Sequence, residues 1–181
     1  MKPSHKQKNR MFPWRQEQQL QMPAHTHYRD IPAFNSLGLR SAAAAAGAAA
    51  GAAPTPHTAT IYGAIICTTN DINTRKYAIV QGRRSGKWSF PKGHANPGET
   101  PFECVVREVA EEIGCDRLPA APAAGVPLHV GYYYVFPVGA EFELKPRDTN
   151  EVETAGWFTI DEMRKMPVNV DISRFLARIV S

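Results

Sequence analysis

The chain has 181 residues, 43% of them hydrophobic, with a formal net charge of +4 and a sequence pI of about 9.1. That length holds one good-sized domain rather than two, and no run of about 18 bulky apolar residues is present to span a bilayer. Three cysteines (Cys67, Cys104, Cys115) show no zinc spacing and cannot all pair, which argues for a reducing compartment, the cytoplasm, over secretion.

The chain divides near residue 58. Residues 1–58 carry seven Lys/Arg against two acids (Glu17, Asp30), a net of +5. With +4 on the whole chain, residues 59–181 carry −1, so the basic pI belongs to the N-terminal segment. That segment also holds Gln-rich 16–21, Pro/His-rich 22–27 and the run Ala42–Ala53, interrupted by Gly47 and Gly51. It lacks the large apolar residues of a core and reads as a disordered low-complexity tail, with a short marginal helix at most in the Ala run. Its charge suits nonspecific contact with RNA or another polyanion, and Phe12 and Trp14 are candidate cap-stacking rings. Because it is poor in acids, an organellar or nuclear address is the alternative to a cytoplasmic extension.

After residue 58 the pattern changes to strands. Thr60–Thr68 is β-branched and apolar, and Tyr77–Gln81 is a second strand, with a turn at Asn70–Asn73 between them. Arg75, Lys76, Arg83, Arg84 and Lys87 form a local basic set; it either tracks a polyanionic substrate, with Arg83 and Arg84 the candidate contacts, or solvates hairpin ends. Ser85-Gly86 makes a further turn before Trp88-Ser-Phe-Pro-Lys-Gly93.

A helix is expected over Pro101–Ile113. Thr100 and Glu103 make a capping box, Pro101 sits where its missing N–H costs nothing, and Gly114 suits a left-handed C-cap. Phe102, Val105, Val106, Val109 and Ile113 fall on one apolar face. Glu108, Glu111 and Glu112 occupy a neighbouring arc at i,i+3 and i,i+4 spacing, so their oxygens can converge. Carboxylates at that density repel one another unless cations hold them, and Mg²⁺ or Mn²⁺ takes such hard oxygen ligands together with water and phosphate. Arg107 can brace Glu103 or Glu111. Taken alone, such a helix is also compatible with a solvated charged face.

Beyond the helix, Val130–Phe136 is a strong strand, Glu141–Leu144 a weaker one and Thr154–Thr159 another. Tyr132 and Tyr134 point to one face and Tyr133 to the other; the pair either stacks a nucleobase or fills the core. Asp161–Lys165 and Asp171–Val180 read as closing helices, the second packing Ile172, Phe175, Leu176 and Ile179 on the sheet.

The loop before the helix decides among these readings. Gly93, Glu99, Arg107, Glu108, Val109, Glu111, Glu112 and Gly114 meet every fixed position of G-x(5)-E-x(7)-R-E-U-x-E-E-x-G-U, with Cys115 as a small substitute at the final aliphatic position. The stretch resembles the Nudix box, and the resemblance of the surrounding domain extends over roughly residues 59–181. It implies an α/β/α sandwich around a mixed sheet and hydrolysis of a nucleoside diphosphate linked to another group. By position, Glu108, Glu111, Glu112 and the Gly93 carbonyl would bind Mg²⁺ or Mn²⁺. Glu99 and Gly114 would frame the loop and helix, with Arg107 ordering them and standing beside the catalytic set. Trp88-Ser-Phe-Pro-Lys-Gly-His94 followed by Pro97-Gly98-Glu99 is similar to two Nudix groups, the diadenosine tetraphosphate hydrolases and the catalytic subunits of mRNA-decapping enzymes. Lys92 sits next to the metal loop, where its ammonium either meets a phosphate or is a surface lysine after a proline. Glu151, six residues before Trp157, matches a metal-linked catalytic base, with Glu153 as the fallback.

The resemblance therefore implies a pyrophosphohydrolase acting on a nucleotide or on capped RNA. The leading expectation is cleavage of the 5′ cap of mRNA to a capped nucleoside diphosphate and 5′-monophosphate RNA. Dinucleoside polyphosphates and diphosphoinositol polyphosphates follow. An inactive Nudix-fold binding module is disfavoured, because all three helix glutamates are present. The helical regulatory domain of decapping enzymes is not found ahead of residue 59, so the basic tail would have to supply RNA contact. Oligomeric state is left open.

Overall fold

A computed structural model describes residues 58–70, 74–118 and 122–179. The expectations for the tail, its disorder, Ala-run helix, address signal, RNA contact and Phe12/Trp14 rings, lie outside the described residues, as does most of the Asn70–Asn73 turn.

Among the described residues, seven strands form one mixed sheet: β1 (Ile61–Thr68), β2 (Lys76–Gly82), β3 (Trp88–Ser89), β4 (Lys92–His94), β5 (Ala124–Pro127), β6 (Tyr132–Val138) and β7 (Val152–Thr159). β1 is central. It runs parallel to β6 and antiparallel to β2 and β4, and β7 extends the antiparallel pairing of β2. Seven of its eight residues are buried, as expected of a strand covered on both faces.

Alternation along β1 feeds two cores. Ile65 and Cys67 join Tyr77, Ile79, Phe90 and Tyr133, covered by the short helix α2 (Ile160–Met163) and by α3 (Val170–Arg178) through Ile160, Met163, Ile172 and Phe175. Tyr62, Ala64 and Ile66 join Val80, Tyr134 and Phe136, covered by α1 (Pro101–Ile113) through Cys104, Val105, Val109 and Ile113. The result is the expected α/β/α sandwich. The opposite orientations of Tyr134 and Tyr133 follow from the same alternation.

Several boundaries and one element differ from expectation. Glu141–Leu144 forms no strand: the indole N–H of Trp157 donates to the Phe142 carbonyl at 2.9 Å, and Lys145 N–H donates to Ile113 O at 2.9 Å. Backbone groups that a strand would place in a ladder go instead to a side chain and a helix end. Ala124–Pro127, unassigned from sequence, pairs antiparallel with β6. Val130 lies outside β6 and is exposed. The helix expected at Asp161–Lys165 spans Ile160–Met163 and ends in a turn, and the last helix is Val170–Arg178. On α1, Cys104 is fully buried, whereas Val106 is half-buried and belongs to neither core.

Candidate active site

The site is assembled at the junction of β4 and α1. β4 pairs with β1, Tyr62 opposite Gly93 and Gly63 opposite Lys92, so the loop entering the helix starts from the sheet itself. α1 then begins at Thr100 with both halves of the capping box formed, and ends at Gly114 with φ 74°. These local signals set the first and last residues of a helix whose apolar face binds it to the sheet.

Glu108 and Glu112 lie along the edge of that buried face, each 8% exposed, while Glu111 is exposed. Gly93 lies directly beneath the Glu108 carboxylate: a Cβ at Gly93 would stand 1.9 Å from Glu108 Oε1. The Lys92 backbone N–H donates to Glu112 Oε2 at 2.9 Å. Burial pushes the Glu112 carboxyl up to about 8, opposed by that N–H and the Lys92 charge and reinforced by Glu108 and Glu151. Burial also raises the Glu108 carboxyl, against the pull of Arg107, with Glu111 and Glu151 adding repulsion. Glu151 is exposed on the loop before β7, and its charge reaches both buried carboxylates.

Arg107 is the hub of the loop. Its Nε donates to Glu99 Oε1 at 2.9 Å and its Nη2 to Glu99 Oε2 at 3.0 Å, a two-pronged pair. Nη2 also donates to the His94 carbonyl, and Nη1 donates to Glu108 Oε1 at 2.6 Å and Glu111 Oε2 at 3.1 Å. Glu99 in turn accepts from Asn96 N–H at 2.8 Å. Burial raises the Glu99 carboxyl, but Arg107 and the Asn96 N–H outweigh it and hold it below the ordinary glutamate range. Glu99 and Arg107 thus fasten the loop to the helix.

As the side chains stand, no three acidic, His or Cys groups converge on one ion position among the described residues; Glu108 and Glu111 face Arg107. The donor set nevertheless suits a hard divalent cation. Two buried carboxylates, one exposed carboxylate and the Gly93 carbonyl present only oxygen, and desolvation leaves Glu112 short of compensating positive charge.

The remaining sequence candidates separate. Arg83 is engaged with protein: Nε donates to Thr149 O at 2.7 Å and Nη1 pairs with Glu153 at 2.8 Å. That contact commits Glu153, whereas the exposed Glu151 lies within electrostatic reach of Glu108 and Glu112. Arg84 and Lys87 are exposed, Lys76 pairs with Glu141, and Arg75 is buried and donates to Thr68 O, so the basic set does not form one surface. Tyr134 is 7% exposed, edge-on to Phe102 and Tyr132, and the Tyr132 ring packs over Gly125. Both rings fill the core beneath α1 as they stand.

Two residues of the site escaped the sequence reading. Arg147 N–H and Asp148 N–H donate to Glu111 O at 2.8 and 3.0 Å, and Asp148 Oδ1 accepts from the N–H groups of Asn150 and Glu151. Asp148-Thr-Asn is an Asx-turn signal visible in the sequence. Its docking partner 37 residues earlier is not.

Comparison with known proteins places the domain. The NUDIX domain family model matches residues 61–179. Over 110 residues the chain is 31% identical to "mRNA-decapping enzyme subunit 2" of Saccharomyces cerevisiae (strain YJM789), covering 58% of this chain and 11% of that protein. Over 100 residues it is 35% identical to "NAD-capped RNA hydrolase NudC" of Stutzerimonas stutzeri (strain A1501), covering 52% and 35% respectively. The chain thus spans a minor part of the length of these relatives. Among solved structures, the NUDIX domain of Shewanella oneidensis NrtR shares the fold, with a TM-score of 0.52 at 18% identity, over 65% of this chain and 83% of that one. No helix among the described residues is long and apolar enough to cross a membrane.

Proposed function

Since the chain belongs to the Nudix family, we propose that it is a metal-dependent pyrophosphohydrolase whose substrate is the capped 5′ end of RNA. Water attacks a bridging phosphoric anhydride, releasing a capped nucleoside diphosphate and 5′-monophosphate RNA. The observation that carries the reading is the gathering of Glu108, Glu112 and the Gly93 backbone at one helix–strand junction, within electrostatic reach of Glu151. Similarity to the two RNA-end hydrolases supports the choice of substrate.

In this reading Glu108, Glu111, Glu112 and the Gly93 carbonyl hold Mg²⁺ or Mn²⁺. Such an ion, when bound, neutralises phosphate oxygens and makes water a better nucleophile. Glu151 accepts the proton of the attacking water, as an exposed carboxylate within electrostatic reach of the site can. The Lys92 ammonium meets a phosphate oxygen. Arg107, held by Glu99, fixes the loop and the orientation of Glu108 and Glu111. Basic residues within 1–58 add a sequence-independent polyanion contact.

Similarity to the Stutzerimonas NAD-capped RNA hydrolase favours one further substrate, RNA capped with NAD, in which the attacked bond is again an anhydride. The test is a substrate panel with Mg²⁺ and Mn²⁺: methylguanosine-capped RNA, NAD-capped RNA, free cap dinucleotide, diadenosine tetraphosphate and a diphosphoinositol phosphate. Preference for either capped RNA supports the proposal, and the ratio of the two fixes the cap. Preference for a free dinucleotide or an inositol pyrophosphate overturns it. Glu111→Gln and Glu112→Gln should remove turnover with the fold intact; unchanged turnover refutes the roles given to those carboxylates. Deleting residues 1–58 should flatten the salt dependence of long-RNA binding while barely changing dinucleotide turnover.

A further inference from the structure

The end of β2 reaches across to the loop that carries Glu151. β2 and β7 pair in register until Gln81 faces Thr154 and Gly82 faces Val152, so Glu153 is an extra residue in the ladder. A bulge of this kind bends its strand and re-aims the neighbouring side chains. Arg83, the next residue after β2, pairs with the chain just before that bulge. Its backbone N–H donates to Glu151 O at 2.8 Å, its Nε to Thr149 O at 2.7 Å, and its Nη1 pairs with Glu153 Oε2 at 2.8 Å. One residue therefore grips the backbone of Glu151 and both sides of it, the nearest of these partners, Thr149, lying 66 positions further along the chain.

The opposite side of the loop is held separately. Asp148 N–H donates to Glu111 O and Asp148 Oδ1 caps the turn over Asn150 and Glu151. With α1 on one side and Arg83 on the other, the Glu151 backbone is clamped while its side chain is left exposed, within electrostatic reach of Glu108 and Glu112. Removing the Arg83 side chain cuts its bonds to Thr149 and Glu153 and leaves the backbone N–H on Glu151 O; loosening one of two supports in this way lets an exposed loop shift, and a displacement of about 1 Å at a reacting group costs up to about 100-fold in rate.

We propose that Arg83 is a positioning residue for Glu151, acting through the loop backbone and the Glu153 carboxylate rather than on substrate. This rests on the reading of Glu151 as the group that accepts the proton of water. It differs from the substrate contact that the position of Arg83 in a basic run suggests. A substrate contact would show mainly in KM. A positioning role shows in kcat and disappears once Glu151 cannot do its work.

The experiment is a double-mutant cycle on the full chain with Mg²⁺ and free cap dinucleotide: Arg83→Met, Glu151→Gln and the pair, with Arg83→Lys and Glu153→Gln alongside. Arg83→Met should lower kcat by roughly 10- to 100-fold with KM within about twofold. Arg83→Lys should recover part of that loss, because an ammonium retains the Glu153 pair but not both directed bonds. In the Glu151→Gln background, Arg83→Met should have no further effect. Amide hydrogen exchange without metal or substrate gives an independent readout, with faster exchange in residues 148–153 of Arg83→Met and unchanged exchange in α1. A rise in KM alone, additive losses in the cycle, or unaltered exchange in the loop each overturn the positioning role. If Arg83→Met fails to fold, Arg83→Lys and Glu153→Gln carry the same cycle and exchange measurement, under the same criteria. Full activity of Glu151→Gln would instead overturn the role assigned to Glu151, a separate and distinguishable failure.

Discussion

The Asp148 backbone N–H donates to the Glu111 carbonyl at 3.0 Å, tying the loop that bears Glu151 to the helix that bears the box glutamates. Lys145 N–H donates to Ile113 O and Arg147 N–H to Glu111 O, so residues 145–148 satisfy carbonyls that the last turn of α1 would otherwise leave open. The end of the helix and the beginning of the loop that carries Glu151 are one structure. Disturbing the cap should therefore disturb chemistry.

Gly114→Ala tests that coupling. Gly114 has φ 74°, and a Cβ there would stand 2.2 Å from the Lys145 carbonyl oxygen, a backbone atom that cannot turn aside. A strained left-handed alanine costs of order 1–3 kcal/mol, so Tm should fall by several degrees. Displacement of residues 145–148 should also lower kcat by at least about fivefold. A loss of stability with kcat intact would show that the loop does not depend on the helix cap.

Gly93→Ala should give the opposite balance. The clash is again severe, but the atoms met are the carboxylate end of Glu108, which can swing away. The expected cost in stability is under about 1 kcal/mol, within the range of mild substitutions, while kcat falls about 100-fold because Glu108 no longer lies over the loop. Denaturant titration and steady-state kinetics on the same sample measure both. Near-normal kcat would refute the dependence of the site on this close approach.

What the sequence revealed is divided along the same line between local and distant structure. The limits of α1 were legible because Thr100, Glu103, Pro101 and Gly114 act within one turn of the helix ends. The Glu99–Arg107 fastening joins residues only eight apart, inside one motif. β5 was missed because Ala124-Gly-Val-Pro127 carries a glycine and a proline and pairs only as an edge segment beside β6. Glu141–Leu144 misled because alternation fits any extended segment packed on a core, whether or not its backbone joins a ladder. The engagement of Arg83 with Thr149 and Glu153 depends on β2 lying beside β7, which no local pattern announces.

The buried Glu112 carboxyl sets a pH dependence with a definite sign. Its folded value of about 8 lies above the ordinary 4.5, so between those values the metal-free native protein holds a proton that the unfolded chain has released. Its contribution to stability is complete below about pH 4.5 and is lost as pH rises toward 8, with a slope of at most about 1.4 kcal/mol per pH unit. Chelator-treated protein should thus unfold more readily at pH 8 than at pH 5.5. Saturating Mg²⁺ should flatten the slope by favouring the ionised form, and Glu112→Gln should reduce it without metal. Chemical denaturation across pH, with EDTA and with Mg²⁺, reads the effect. Stability that climbs over this interval in EDTA would contradict it.

Asp171 provides a contrast, a fully buried carboxylate whose role is structural. Its Oδ1 accepts from His129 N–H at 2.9 Å and Val130 N–H at 3.0 Å, and its Oδ2 accepts from the Tyr133 hydroxyl at 2.6 Å. It therefore stitches the first turn of α3 to the β5–β6 connection. Asp171→Ala strands the buried Tyr133 hydroxyl, which costs about 1–3 kcal/mol without a partner, while the N–H groups of His129 and Val130 belong to exposed residues that water can reach, so a loss of about 1–3 kcal/mol is expected. Tyr133→Phe removes one bond from the network and should cost about 1 kcal/mol. Tyr133 and α3 lie in the core on the far side of the sheet from α1, so kcat per folded molecule should stay within about twofold for both variants. Measuring active-site concentration beside kcat separates the two effects. A large fall in kcat for folded Tyr133→Phe would mean that the sheet transmits the state of this network to the carboxylates across it.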